Sequence, residues 1–321
     1  MRIFYIIVGI LLFLSLFFGG CASQKRAEEK VIIFHAGSLS IPMKIITEQY
    51  MKENPGVKIQ MESAGSVACA RKITELNQPC DIMASADYQI IDRMLIPDYS
   101  KWSVHFAANS MVIAYTEKSG RGNEIDQDNW IDILLDPKIY YGRSDPDSDP
   151  CGYRTLLTLQ LAERYYNRDG ITSLFSAKDR NMIRPKEVDL LALLETNAID
   201  YIFIYKSVAM QHSLKYLELP AEVDLSLPQL DELYSSVSVE IRGSSPGELM
   251  TIAGSSMVYG VTLLNNAPNS ERAIDFLEYM LGEPGQRVIK EMGQELKTPP
   301  YTKNLQLLPE LLRPLCIDDS E

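Results

Sequence analysis

Four short stretches of this 321-residue chain put hydrogen-bond donors or carboxylates where a small ligand could be gripped. Gly37-Ser38 closes an apolar run and opens a helical one. The unpaired N–H groups of a helix start carry about half a positive charge, and a serine hydroxyl adds a donor, so such a pair suits an anion. Gly65-Ser66 repeats the arrangement after a second apolar run. The third stretch, Ser144 to Arg154, is dense in turn residues; its Asp149-Pro150 has N-cap and first-turn character, with the N–H groups of Cys151 and Gly152 as further donors. The fourth is Glu218 in Tyr216-Leu217-Glu218-Leu219-Pro220. Each has a plainer reading, because Ser and Asp are ordinary helix caps and Glu218 by alternation sits on the wet face of a strand.

The elements that must carry these residues follow from periodicity. Apolar, β-branched runs at 31–37, 57–64 and 81–86 alternate with helical patterns at 41–54 and 67–76, which predicts a parallel sheet with right-handed crossovers. The long apolar stretch 104–116 is suited to carry the chain from one lobe to another. A second set follows: a helix at 130–135, a strand at 139–141, a helix at 153–165, and strands at 201–205 and 216–219. The chain then returns through a strand at 257–264 and helices at 270–281 and 286–292. The expected fold is α/β and two-lobed, with lobe 1 made of 31–115 and 250–321, lobe 2 of 116–249, and a ligand cleft between them.

The N-terminus reads as an export segment over 1–20: Arg2, then an apolar run from Ile3 to Phe18 without charge or proline. Phe18-Gly19-Gly20-Cys21 resembles a lipobox, making Cys21 the lipidated residue and 21–30 a polar tether; an uncleaved anchor and an ordinary signal cleavage are the alternatives. Four cysteines remain, Cys69, Cys80, Cys151 and Cys316, which allow three pairings or none. A net charge of -12 and a pI near 4.9 exclude a nucleic-acid footprint. Asp149 and Glu218 could in principle serve as a hydrolase's acid and base. However, His35, His105 and His212 form no constellation, and no nucleophile motif, metal-ligand spacing or Walker loop is present. A non-enzyme without a cofactor is expected.

These residues carry a resemblance. Phe34-His35-Ala36-Gly37-Ser38-Leu39, Glu62-Ser63-Ala64-Gly65-Ser66, Gly142-Arg143-Ser144-Asp145-Pro146 with Asp149-Pro150-Cys151-Gly152-Tyr153-Arg154, and Tyr216-Leu217-Glu218-Leu219-Pro220 resemble segments of the archaeal-type tungstate/molybdate-binding proteins of ABC transporters. The resemblance implies a type II periplasmic-binding-protein fold and an extracytoplasmic monomer, held to the membrane by its lipid, that serves a permease and a cytoplasmic ATPase. It also implies ligand contacts at Gly37, Ser38, Ser66, Asp149, Pro150, Cys151, Glu218 and Tyr234. Two carboxylates aimed at a dianion repel it by a few kcal/mol each, roughly, at an effective dielectric near 20. Sulfate and phosphate are thereby disfavoured. Molybdenum or tungsten can expand its shell from four oxygens to six and take Asp149 and Glu218 as ligands, as the resemblance implies. Ferric ion, sulfate and phosphate remain alternatives on the same fold.

Overall fold

The computed structural model describes residues 29–178 and 182–319, so the expected export segment and Cys21 lie outside the described residues. The strands in chain order are β1 (Glu29–Ala36), β2 (Val57–Ala64), β3 (Ile82–Ser85), β4 (Val104–Ala108), β5 (Met111–Tyr115), β6 (Tyr141–Ser144), β7 (Ile183–Arg184), β8 (Tyr201–Tyr205), β9 (Lys215–Glu218), β10 (Ser238–Arg242), β11 (Leu249–Ala253), β12 (Val258–Leu263), β13 (Glu295–Thr302) and β14 (Ile317–Asp318). They form a seven-stranded sheet, β14-β13-β4-β12-β3-β1-β2, a five-stranded sheet, β7-β6-β8-β5-β9, and a two-stranded ribbon, β10-β11. Strand β1 takes in Glu29 and Lys30 of the anticipated tether, which pair with Val57 and Lys58.

The parallel expectation holds for β1 with β2 and β3. It fails at β12, which enters the middle of the sheet antiparallel to both β3 and β4. The second sheet is also mixed: β6 runs parallel to β8, and β5 antiparallel to β8 and β9. Strands β3, β4, β5, β8 and β12 are buried along all or nearly all of their length, and helices pack over the sheets. Along Ser270–Leu281, for example, Ala273, Phe276, Leu277, Met280 and Leu281 are buried, and Phe276 meets Tyr50 edge-on at 5.3 Å. Burying a side chain of this size contributes about 1.5–3 kcal/mol.

The lobes exchange chain at points displaced from those expected. Strand β4 belongs to the first sheet and β5 to the second, so the first crossing is Asn109-Ser110 rather than residue 115. The return lies between β11 and β12, at 254–257. The ribbon just before it belongs to neither sheet and touches both lobes. Gln160 from lobe 2 donates to the Ser238 carbonyl (3.0 Å), while Arg93 and Thr74 from lobe 1 donate to the carbonyls of Thr251 (2.6 Å) and Ser244 (3.2 Å).

Candidate functional site

The first turn of the 3-10 segment Gly37–Leu39 and the helix starts at Ser66 and Pro150 approach one another across the lobes. The Ala68 N–H of lobe 1 donates to the Ser148 carbonyl of lobe 2 (3.1 Å). A Cβ on Gly65 would stand 2.2 Å from that same carbonyl oxygen and 2.9 Å from the Asp149 Cβ, and one on Gly37 would stand 2.7 Å from the Glu187 carboxyl. Glycine is required at residue 65 because backbone cannot yield there as a side-chain tip can. Gly65→Ala should hold the lobes apart and weaken ligand binding by about tenfold or more, with little change in the core. Titration calorimetry beside small-angle scattering checks it; unchanged affinity with an unchanged radius of gyration would be the contrary result.

Ser38, Ser66 and Tyr205 bring buried hydroxyls to this junction, and their hydrogen bonds have one polarity. The Asn109 amide is oriented by its oxygen, which accepts from the N–H groups of Ser110 (3.0 Å) and Ser207 (3.2 Å). Its nitrogen therefore donates to the Tyr259 oxygen (3.0 Å), and Tyr259 donates to Ser38 Oγ (3.0 Å). Ser66 Oγ accepts from the Ala86 N–H (3.0 Å), and Tyr205 accepts from Arg154 Nη1 (3.1 Å). Ser38, Ser66 and Tyr205 thus each spend a lone pair on a protein donor and keep a proton to give. This polarity favours an anion over a cation, which needs the lone pairs.

Two carboxyls share the junction. Asp149 is the N-cap of the helix Pro150–Tyr165: Oδ1 accepts from the Cys151 N–H (3.2 Å) and Oδ2 from the Glu187 N–H (2.9 Å). Glu187 opens a 3-10 turn, is fully buried, and lies against Asp149; neither of its carboxyl oxygens has a well-directed hydrogen-bond partner among the described residues. Burial pushes both carboxyls above the usual range, and the neighbouring Asp149 charge pushes Glu187 further, to well above it. The pair therefore retains a proton that isolated carboxyls would have lost. An unsatisfied buried carboxyl is costly to keep, so this position is a candidate ligand contact.

Of the residues expected from sequence, Gly37, Ser38, Ser66, Asp149, Pro150 and Cys151 come together here, all buried. Glu218 does not join them. It lies on the edge strand β9 with its side chain 60% exposed, in an ion pair with Lys206 (2.6 Å). The carboxyl that faces Asp149 is Glu187. Tyr234 also corrects the expectation: it is buried, its hydroxyl donates to the Ala221 carbonyl and accepts from the Leu227 N–H (3.3 Å), and its backbone packs under Gly254. It braces a loop; the tyrosines at the junction are Tyr205 and Tyr259. Cys69, Cys80, Cys151 and Cys316 are free buried thiols, with burial raising each thiol pKa and so keeping it protonated. His35 donates Nδ1–H to the Ala36 carbonyl (2.8 Å), and burial lowers its pKa, so it is a neutral imidazole behind Gly37.

The chain was compared with known proteins. The family model described as bacterial extracellular solute-binding protein matches residues 31–295. An uncharacterized solute-binding protein of Petrotoga mobilis is 42% identical over 297 residues, covering 92% of each chain. The molybdate/tungstate-binding protein WtpA of Thermococcus kodakarensis is 39% identical over 334 residues, covering 94% of this chain and 93% of that one. Among solved structures, the periplasmic molybdate-binding protein of Azotobacter vinelandii aligns with a TM-score of 0.61 at 15% identity, over 82% of this chain and 98% of its own. The sulfate-binding protein SubI of Mycobacterium tuberculosis aligns with a TM-score of 0.60 at 10% identity, over 90% of this chain and 92% of its own. These two likenesses show the two-lobed fold.

Proposed function

We propose a ligand on the premise that follows from these matches: this chain belongs to the bacterial extracellular solute-binding proteins, and it is not an enzyme. Its cleft captures molybdate or tungstate. The relatives of Thermococcus kodakarensis and Pyrococcus abyssi are named for that pair of ions. The observation that carries the reading is the polarity of Ser38, Ser66 and Tyr205, whose lone pairs are engaged by Tyr259, Ala86 and Arg154 and whose protons are free for oxo groups. A ferric ion would have no use for that set. The buried carboxyl pair separates the candidates further: fully ionised it repels sulfate and phosphate, whereas a hexacoordinate molybdenum or tungsten accepts carboxyl oxygens as ligands. In this reading Gly37, Ser38, Ser66, Pro150 and Cys151 hold oxo groups, as does Tyr205, and Asp149 with Glu187 completes the metal's shell.

The lobes then close on the ion, and a permease with its ATPase receives it. The chain works as a monomer outside the cytoplasm, tethered through a lipid on Cys21. Titration calorimetry on a soluble form beginning at Ala22, with tungstate, molybdate, sulfate, phosphate and ferric citrate, tests the ligand. Tungstate or molybdate should bind at least about 100-fold more tightly than the others, and equal binding of sulfate or phosphate would remove the carboxyl argument. In the same titrations Glu218→Gln should leave affinity within about twofold, since an exposed pair such as that with Lys206 contributes about 0–1 kcal/mol. A loss of tenfold or more, roughly one coordinating or charge-assisted contact, would return Glu218 to the site.

A further inference from the structure

We propose that Arg154 is a positioning residue of this site: from lobe 2 it holds the Ala86-Asp87 segment of lobe 1 and the Tyr205 hydroxyl at once, and so aims two donors at the bound oxyanion from opposite lobes. The proposal rests on the oxyanion reading above.

Arg154 lies one turn into the helix whose start carries Asp149, Pro150 and Cys151, and its guanidinium is almost wholly buried. Nη1 donates to the Ala86 carbonyl (2.8 Å) and to the Tyr205 oxygen (3.1 Å), and Nη2 stands 3.1 Å from Asp87 Oδ2. Asp87 is fixed from other sides as well, accepting from the Tyr153 hydroxyl (2.6 Å) and the Gln89 N–H (2.9 Å). The guanidinium also lies against the rings of Tyr153 and Tyr205, at 6.0 and 5.8 Å from their centroids. A planar fork can meet three acceptors in different directions, which an ammonium cannot.

What Arg154 holds are the supports of two ligand donors. Ala86 receives Arg154 on its carbonyl and gives its N–H to Ser66 Oγ, so the orientation of the Ser66 hydroxyl depends on where Arg154 places Ala86. Tyr205 receives Arg154 directly, which occupies a lone pair on its oxygen and leaves its proton to give. Arg154 brings no net charge to the ion, because Asp87 balances it. Its contribution is directional: Ser66 on lobe 1 and Tyr205 on lobe 2 both take their aim from one side chain, which ties the closed lobe geometry to the alignment of the donors.

The test is a mutant cycle on the soluble chain, with tungstate affinity read by calorimetry and folding by the melting temperature and the binding stoichiometry. Arg154→Met should weaken tungstate by about 100-fold, the size of two charge-assisted donors, and Arg154→Lys by about tenfold, since it reaches one acceptor. In a Ser66→Ala, Tyr205→Phe background the Arg154→Met step should shrink to about threefold or less, because the donors it aims are gone. A purely structural arginine would cost the same factor in both backgrounds. That result, or Arg154→Lys binding as tightly as the unaltered chain, overturns the proposal. If Arg154→Met does not fold, the Arg154→Lys step compared between the two backgrounds makes the same distinction. Tungstate failing to bind the unaltered chain sinks the oxyanion reading and this proposal with it, whereas normal binding there with additive steps sinks the proposal alone.

Discussion

Glu187→Gln raises the melting temperature of the ligand-free protein at pH 7 and weakens tungstate binding by about tenfold or more, the cost of one coordinating or charge-assisted contact. The two effects share a cause. Glu187 is fully buried against Asp149 without a well-directed partner for either carboxyl oxygen among the described residues. Burial and the Asp149 charge raise its pKa well above the usual value. A group whose folded pKa is raised contributes stability that is fully present below its unfolded pKa and is lost as pH rises through the folded pKa. At neutral pH the folded state therefore bears a cost that the unfolded chain does not. Glutamine removes that cost and can donate its amide to Asp149, a gain of about 1–2 kcal/mol, or a few degrees for a chain of this size. The gain should fade by about pH 4, where the carboxyl is protonated in both states. Calorimetric melting from pH 4 to 8 reads this directly; a variant less stable at both ends of that range would show Glu187 to be a structural partner instead of a ligand.

Tungstate binding should release about one proton and tighten as pH rises from the ordinary carboxyl range toward the raised pKa of the pair. The ligand-free pair keeps a proton because Asp149 and Glu187 both sit above the ordinary carboxyl range. For both to act as oxygen ligands of the metal, that proton must leave. Each unit of pH below the folded pKa then costs up to about tenfold in affinity. Titration in buffers of different ionisation enthalpy counts the proton, and a pH series gives the slope. The opposite slope, with tighter binding in acid, has a definite meaning: one carboxyl keeps its proton and donates it to an oxo group, and the metal stays four-coordinate.

Much of this site was legible in the residues themselves. Gly37-Ser38, Gly65-Ser66 and Asp149-Pro150-Cys151 announce helix starts by residue type, a local signal, although only Asp149 uses its side chain as a cap. Glu187 carries no such signal. In Arg184-Pro185-Lys186-Glu187 it reads as part of a solvated turn, and only the approach of lobe 1 at Gly37 seals it. Glu218 misled through the resemblance and not through its pattern: alternation alone puts it on the wet face of a strand, and on the edge strand β9 that is where it lies. The crossing at Asn109-Ser110 was hidden because β4 and β5 are both buried and merge into one apolar run with only two polar residues between them. Strand β13 was missed because its prolines argue against a strand. The structure accommodates them where its register against β4 breaks between Leu296 and Tyr301.

The central place of β12 has a consequence in time. Lobe 2's sheet is complete in sequence by Glu218, the end of β9, and every strand in it lies between Met111 and that residue. Lobe 1's sheet stays in two pieces until residues 258–263 arrive, because β12 is the only link between β4 and β3 among the described strands. As the chain is synthesised, the half of the cleft carrying Asp149, Glu187 and Tyr205 can therefore mature first. The half carrying Ser38 and Ser66 must wait through about 200 residues for its middle strand, a long-range closure of the kind that sets folding speed. The cleft is thus completed late, and no nascent chain can hold the ion before residues 258–263, well into its carboxyl-terminal third, have been built.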